Sequence, residues 1–185
     1  MNTALRKHST FTSLILGCAL LTLAGCQSAG ERDPSWQLPD STKDAHVRTS
    51  RALELPAEQV WALIAGFDTL PDYMPGVADS ELHEGGVVRH VILADGAGVV
   101  VERLVYFNDE TMTLSYTIID LIECDLAMRD YQARVHLTST GPSSCLIEWE
   151  SSFDVEGAPV DETEEVARNI YEGSYDGIIR ALGDP

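Results

Sequence analysis

Few residues of this chain could do chemistry, and Glu102 stands first among them. It sits in "VVVERLVYF" (99–107), a strand-like run in which both parities are apolar. One parity turns Val100, Glu102, Leu104 and Tyr106 inward; the other turns Val101, Arg103, Val105 and Phe107 inward. A carboxyl in an apolar interior is held above its ordinary pKa and can serve as a general acid or base. In "MRDYQARVHL" (128–137), Arg129, Tyr131, Ala133, Val135 and Leu137 share the apolar face. Tyr131 could then offer Glu102 a hydrogen bond, and Arg103 or Arg129 a charge. The competing expectation is that Glu102 pairs with an arginine or a water and merely gives the interior one polar anchor. That expectation is the stronger, because no second acid, base, histidine or lysine is clearly placed beside Glu102.

Several chemistries are excluded by what is missing. After Lys43 there is no lysine, so Schiff-base formation and lysine general-base or clamp roles fall away in the folded part. His83 and His90 lie on early strands and His136 is expected to face out; these three are not expected to converge, and no spacing suggests a metal. No cofactor is implied. Acidic residues outnumber basic ones 30 to 12, for a formal charge of −18. Such a surface is repelled by nucleic acid, which is excluded as a partner.

The elements that must position Glu102 and Tyr131 follow from punctuation and period. "VRTSRALEL" (47–55) alternates as a strand. Pro56 opens a helix over 57–67 with Val60, Trp61, Ile64 and Phe67 on one face. "DTLPDYMPG" (68–76) suits a short second helix or turn. Strands are predicted near 78–84, 87–94, 98–107, 111–119, 128–138 and 144–154, separated by "EGG", "ADGAG", "NDE", "DLIECD" and "STGPSS". On the last of them, Cys145, Ile147, Trp149, Ser151 and Phe153 share the inward face. A long helix over 160–182 closes the chain, with Val166, Ile170, Ser174, Gly177, Ile178 and Ala181 on one side. This order gives an α+β fold in which a curved antiparallel sheet of about seven strands wraps one long helix. Such a cup encloses a cavity unless large side chains fill it. Cys124 and Cys145 fall at opposite ends of a hairpin ladder roughly 30 Å long, too far apart for a disulfide.

The stretches "LPDYMPGVADSEL", "VVERLVYFNDETMTLSYTIID", "MRDYQARVHL", "CLIEWESSF" and "IYEGSYDGI" together resemble the START-like (SRPBCC) superfamily, in particular its bacterial polyketide cyclase/dehydrase and lipid transport branch. The resemblance runs from about Val47 to Leu182. It implies the helix-grip fold also seen in birch-pollen allergens and plant abscisic-acid receptors. It also implies that Glu102 and Tyr131 point into the cavity, which selects the first parity for 98–107. With the inward faces above, the expected cavity set is Glu102, Leu104, Tyr116, Ile118, Tyr131, Ala133, Trp149, Ile170 and Ser174. Loops 94–98 and 120–127 resemble the gate and latch of the hormone receptors. The gate here lacks their Ser-Gly-Leu-Pro sequence and their carboxylate-binding lysine has no counterpart, so abscisic acid is not implied as the ligand.

Residues 1–25 read as a secretory signal: basic Arg6 and Lys7, then an apolar run of about 14 residues from Phe11, too short to span a bilayer permanently. "LAGC" (23–26) resembles a bacterial lipobox, which would make Cys26 the acylated first residue of the mature protein. Gln27 after it, where that resemblance reserves Asp for inner-membrane retention, implies the outer membrane, facing the periplasm. Loss of residues 1–25 would leave 10 Lys+Arg against 30 Asp+Glu. Residues 26–45 then form the acylated cysteine and a polar tether, and 46–185 the domain. The sequence sets no oligomeric state. The leading expectation is a membrane-anchored protein holding a hydrophobic small molecule or lipid in its cavity. The alternatives are a cyclase, aromatase or hydrolase acting in the same cavity, and an envelope protein whose interior is filled by its own side chains.

Overall fold

A computed structural model describes residues 42–183. The expected signal, Cys26, Trp36 and most of the tether lie outside them. Lys43 and Asp44, at the tether's end, are already held by the sheet: Lys43 Nζ lies 2.8 Å from Asp154, and Val155 N donates to Asp44 at 3.2 Å.

The chain runs β1 (Ala45–Leu53), α1 (Ala57–Ile64), α2 (Leu70–Tyr73), β2 (Val77–His83), β3 (Val88–Leu93), β4 (Val99–Asn108), β5 (Thr113–Ile122), β6 (Met128–Gly141), β7 (Ser144–Val155) and α3 (Val160–Leu182). All seven strands form one antiparallel sheet in the order β1-β7-β6-β5-β4-β3-β2. Strand alternation sorts the sides as expected along β7, where Cys145, Ile147, Trp149, Ser151 and Phe153 are all buried.

Bulges correct the alternation on two strands. In β6 the register shifts between Arg129 and Gln132, with Asp130 in the left-handed region at φ 47°. Both Met128 and Tyr131 are therefore buried, and Arg129 is turned out to pair with Glu156 at 2.8 Å. In β4 a shift between Leu104 and Tyr106 turns Phe107 onto Trp61 of α1, with ring centroids 5.5 Å apart. Tyr106, expected inside, is thereby turned away. Sequence alternation has no means of seeing an inserted residue.

Helix α3 lies one position round from its expected face. Thr163, Ala167, Tyr171, Ser174, Tyr175 and Ile178 are buried, whereas Val166 is 48% exposed and Ala181 is exposed. The tyrosines decide this. Each buries its ring and finds a hydroxyl partner, Thr49 for Tyr175 at 2.7 Å and Ser151 for Tyr171 at 2.6 Å. Arg51 of β1 adds ion pairs to Glu172 and Asp176. Gly177 lets the end of α2 sit directly on the helix: a Cβ there would lie 1.7 Å from the Tyr73 carbonyl oxygen. That seat fixes α2 and the following Met74–Pro75 turn over one end of the sheet.

Candidate ligand-binding site

Between α2, the first half of α3 and the β3–β6 part of the sheet lies a cavity of about 150 Å³. Its walls are mostly apolar. Leu70, Met74 and Pro75 come from α2 and its turn, Ala167 and Ile170 from α3. Val91, Val100, Ile118 and Met128 come from the strands, and Leu93 and Leu126 from their ends. Five polar side chains interrupt them: Arg89, Glu102, Tyr116, Tyr131 and Tyr171.

Of the expected cavity set, Glu102, Tyr116, Ile118, Tyr131 and Ile170 line the cavity. Leu104, Ala133, Trp149 and Ser174 do not. Leu104 packs half-buried on the core, Ala133 is sealed within the sheet, and Trp149 stacks on Tyr171 at 4.9 Å. Ser174 turns its hydroxyl back to donate to the Ile170 carbonyl at 2.7 Å. Ala133 and Trp149 are buried on the inward sheet face and Ser174 on the inward side of α3, but away from the cavity.

Arg89 is the residue that sequence reasoning missed. The β3–β4 hairpin places it directly opposite Glu102. Its Nε donates to Glu102 Oε2 at 2.6 Å, Nη2 lies 2.6 Å from the same oxygen, and Nη1 donates to the Phe67 carbonyl at 3.1 Å. The guanidinium also lies over the rings of Phe67 at 4.1 Å and Tyr116 at 4.9 Å. The expected arginine partner of Glu102 thus exists, but it is neither Arg103, which pairs with Glu84, nor Arg129. Burial pushes the Glu102 carboxyl above its usual range, and the adjacent guanidinium pulls it back. Burial would lower the Arg89 pKa, but Glu102 and the Tyr116 and Tyr73 hydroxyls hold it above the ordinary value.

The tyrosines form a second polar line. Tyr131 and Tyr171 share a 2.6 Å hydrogen bond, and Tyr171 donates onward to Ser151 Oγ at 2.6 Å. Burial drives Tyr116 and Tyr131 well above the ordinary phenol value and Tyr171 and Tyr73 up to about 12. All four remain neutral hydrogen-bonding groups at physiological pH.

Two loops meet beside the cavity. Gly98, after the 94–96 turn, adopts φ +101° and approaches the loop after β5 so closely that a Cβ would lie 2.3 Å from the Glu123 carbonyl. Leu93 and Leu126 flank this contact and line the cavity. These are the loops expected at the mouth.

Elsewhere, His83 and His90 do meet, contrary to expectation. The β2–β3 register sets Glu81 opposite His90, so the two histidines stack diagonally with centroids 3.9 Å apart. Among the described residues, no group of three or more His, Cys, Asp or Glu is placed to hold a metal. Cys124 and Cys145 are free thiols.

A curved antiparallel sheet gripping one long helix, with two short helices after the first strand, defines the helix-grip, START-like class. The chain belongs to the polyketide cyclase / dehydrase and lipid transport family, whose model matches residues 44–184. It is similar to the protein XoxI from Bacillus cereus, at 32% identity and a TM-score of 0.70, covering 76% of this chain and 96% of that one. A START superfamily protein from Mycobacterium smegmatis shares the fold at 13% identity, TM-score 0.63, over 74% of this chain and 96% of that one. So does the ZhuI aromatase/cyclase from Streptomyces sp. R1128, at 16% identity and TM-score 0.57, over 75% and 90% respectively. No curated protein matches the chain.

Proposed function

We propose that this chain is a membrane-anchored binding protein that holds a hydrophobic small molecule, or part of a lipid, in the cavity between sheet and α3. The observation that carries the reading is the cavity itself, about 150 Å³ with walls that are mostly apolar. Beside it Trp149 and Phe153 are fully buried, so the same sheet closes over completely elsewhere and leaves room for a guest here. The lipobox-like "LAGC" supports acylation of Cys26, and through it a place on the periplasmic side of the outer membrane.

A cyclase-type enzyme acting in the same cavity has less support. Glu102 Oε2 is already engaged by Arg89 through a hydrogen bond and an ion pair, and no histidine lines the cavity.

The test is to purify the mature chain natively, extract it with organic solvent and analyse the extract by mass spectrometry. A titration with an environment-sensitive apolar fluorophore runs alongside. A bound apolar compound, or saturable probe uptake, is expected; an empty extract together with a flat titration refutes the reading. For the anchor, Cys26→Ser should move the protein from the membrane to the soluble fraction. Unchanged fractionation removes the lipoprotein part of the proposal.

A further inference from the structure

We infer that the ligand of this cavity is uncharged, about the size of one ring, and carries a hydroxyl that donates to Tyr116 at the end of the tyrosine line; this rests on the binding reading above. Charge is the first argument. The lining holds one cation and one anion, Arg89 and Glu102, and they neutralise each other. An incoming anion would find the charge of Arg89 already matched by Glu102, with Nη1 donating to the Phe67 carbonyl and the Phe67 and Tyr116 rings against the guanidinium. A carboxylate or phosphate that displaced Glu102 would leave that carboxylate unpaired in an apolar wall. No lysine follows Lys43 in the sequence, and no histidine lines the cavity. A cation fares no better, because the guanidinium stands beside the only acid. Fatty-acid carboxylates and lipid headgroup phosphates are thereby disfavoured inside.

Size is the second argument. A cavity of about 150 Å³ accepts a benzene-sized guest, whereas sites for drug-sized ligands run from about 300 Å³.

Hydrogen-bond direction is the third. Tyr171 gives its proton to Ser151, so the 2.6 Å bond between Tyr131 and Tyr171 must be donated by Tyr131. Tyr116, which also lines the cavity, is hydrogen-bonded to Tyr131 and must donate to it, so the chain of donors ends on the Tyr116 oxygen with acceptor capacity left. A ligand hydroxyl can donate to that oxygen. An ether, a ketone or a bare hydrocarbon has no proton to give it.

The experiment uses the whole mature chain, secreted behind a signal for a soluble protein with Cys26→Ser. Binding of p-cresol, toluene, anisole and benzoate is compared by calorimetry after delipidation. We expect p-cresol to bind several-fold to about tenfold more tightly than toluene or anisole, and benzoate about a hundredfold more weakly than p-cresol or not at all. Tyr116→Phe should bring the p-cresol to toluene ratio close to one. Benzoate binding within tenfold of p-cresol overturns the uncharged class. Equal affinities for p-cresol, toluene and anisole overturn the hydroxyl. If all four fail while the native extract still yields a long-chain lipid, the ring-sized ligand is wrong and the binding function stands. If all four fail and the extract is also empty, both are wrong.

Discussion

Replacing Arg89 by methionine tests whether the Arg89–Glu102 pair organises the cavity wall. Arg89 is 3% exposed and Glu102 8%, and they meet through two 2.6 Å contacts to one carboxylate oxygen. Methionine keeps much of the arginine's bulk against Phe67 and Tyr116 but leaves a carboxylate buried with no counter-charge. Breaking such a pair from one side costs about 3–5 kcal/mol, or roughly 10–20 °C in Tm for a domain of this size. The pH dependence carries the sharper signature. Burial already pushes the Glu102 pKa up, and Arg89 is what opposes it. Without Arg89, the folded-state pKa rises further above the unfolded value near 4.5. The unfolded state then loses its proton first, so stability is greatest below the unfolded pKa. It falls by up to about 1.4 kcal/mol per pH unit as pH climbs toward the folded pKa. Urea unfolding of wild type and Arg89→Met at pH 5 and pH 8 should show a deficit that grows with pH. Adding Glu102→Gln should remove most of it, because replacing both partners abolishes the orphaned charge. A deficit under about 1 kcal/mol, or one independent of pH, or a double variant no better than the single, refutes the account of the pair.

Gly177→Ala would force a methyl group into the Tyr73 carbonyl, which backbone cannot yield cheaply. The expected loss is about 3 kcal/mol by urea midpoint, and a loss below 1 kcal/mol would mean that α2 is not seated there. Tyr73, Tyr116, Tyr131, Tyr171 and Tyr175 all have raised pKa values, with burial the largest cause. Their contribution is complete below the unfolded value near 10 and is lost as pH rises toward the folded values. Tyrosinate absorbance near pH 11 should therefore stay far below that of the urea-unfolded chain and jump only with alkaline unfolding. Early, gradual ionisation of all six tyrosines would contradict their burial.

The order of elements was legible because turns, prolines and period leave a strong local record. Strand alternation also sorted β7 and most of β6. What stayed hidden depends on one-residue events or on distant partners. The bulge at Asp130 turns Arg129 out and keeps Tyr131 in, a change that alternation cannot register. Glu102 was visible as a carboxyl wanting an arginine, but its partner was not. Folding the hairpin about the "ADGAG" turn sets either His90 or Arg89 opposite it, and one residue of register decides. Trp149, Ala133, Ser174 and Leu104 show a further limit. Alternation tells which side a residue faces, and only the docking of α1, α2 and α3 decides whether that side meets a void or a wall.

That distinction can be tested directly at Ala167, which lines the cavity from α3 and is 1% exposed. Ala167→Leu adds three carbon atoms at the cavity wall and leaves the residues of the Arg89–Glu102 pair and the tyrosine line unchanged. If the void is an unfilled defect, filling it brings up to about 2 kcal/mol of transfer and packing energy, at about 0.8 per methylene, and nothing is lost. If it is a ligand site, the same substitution raises the stability of the ligand-free domain while removing apolar probe uptake. The two readings share the stability gain and differ only in binding. Urea unfolding of the delipidated chain and a probe titration on one preparation therefore separate them. A gain in stability with uptake intact would place the guest elsewhere. A loss of both would mean that leucine does not fit and that the cavity is smaller than about 150 Å³. Stability up and binding gone is the outcome that follows from a cup kept open for its ligand.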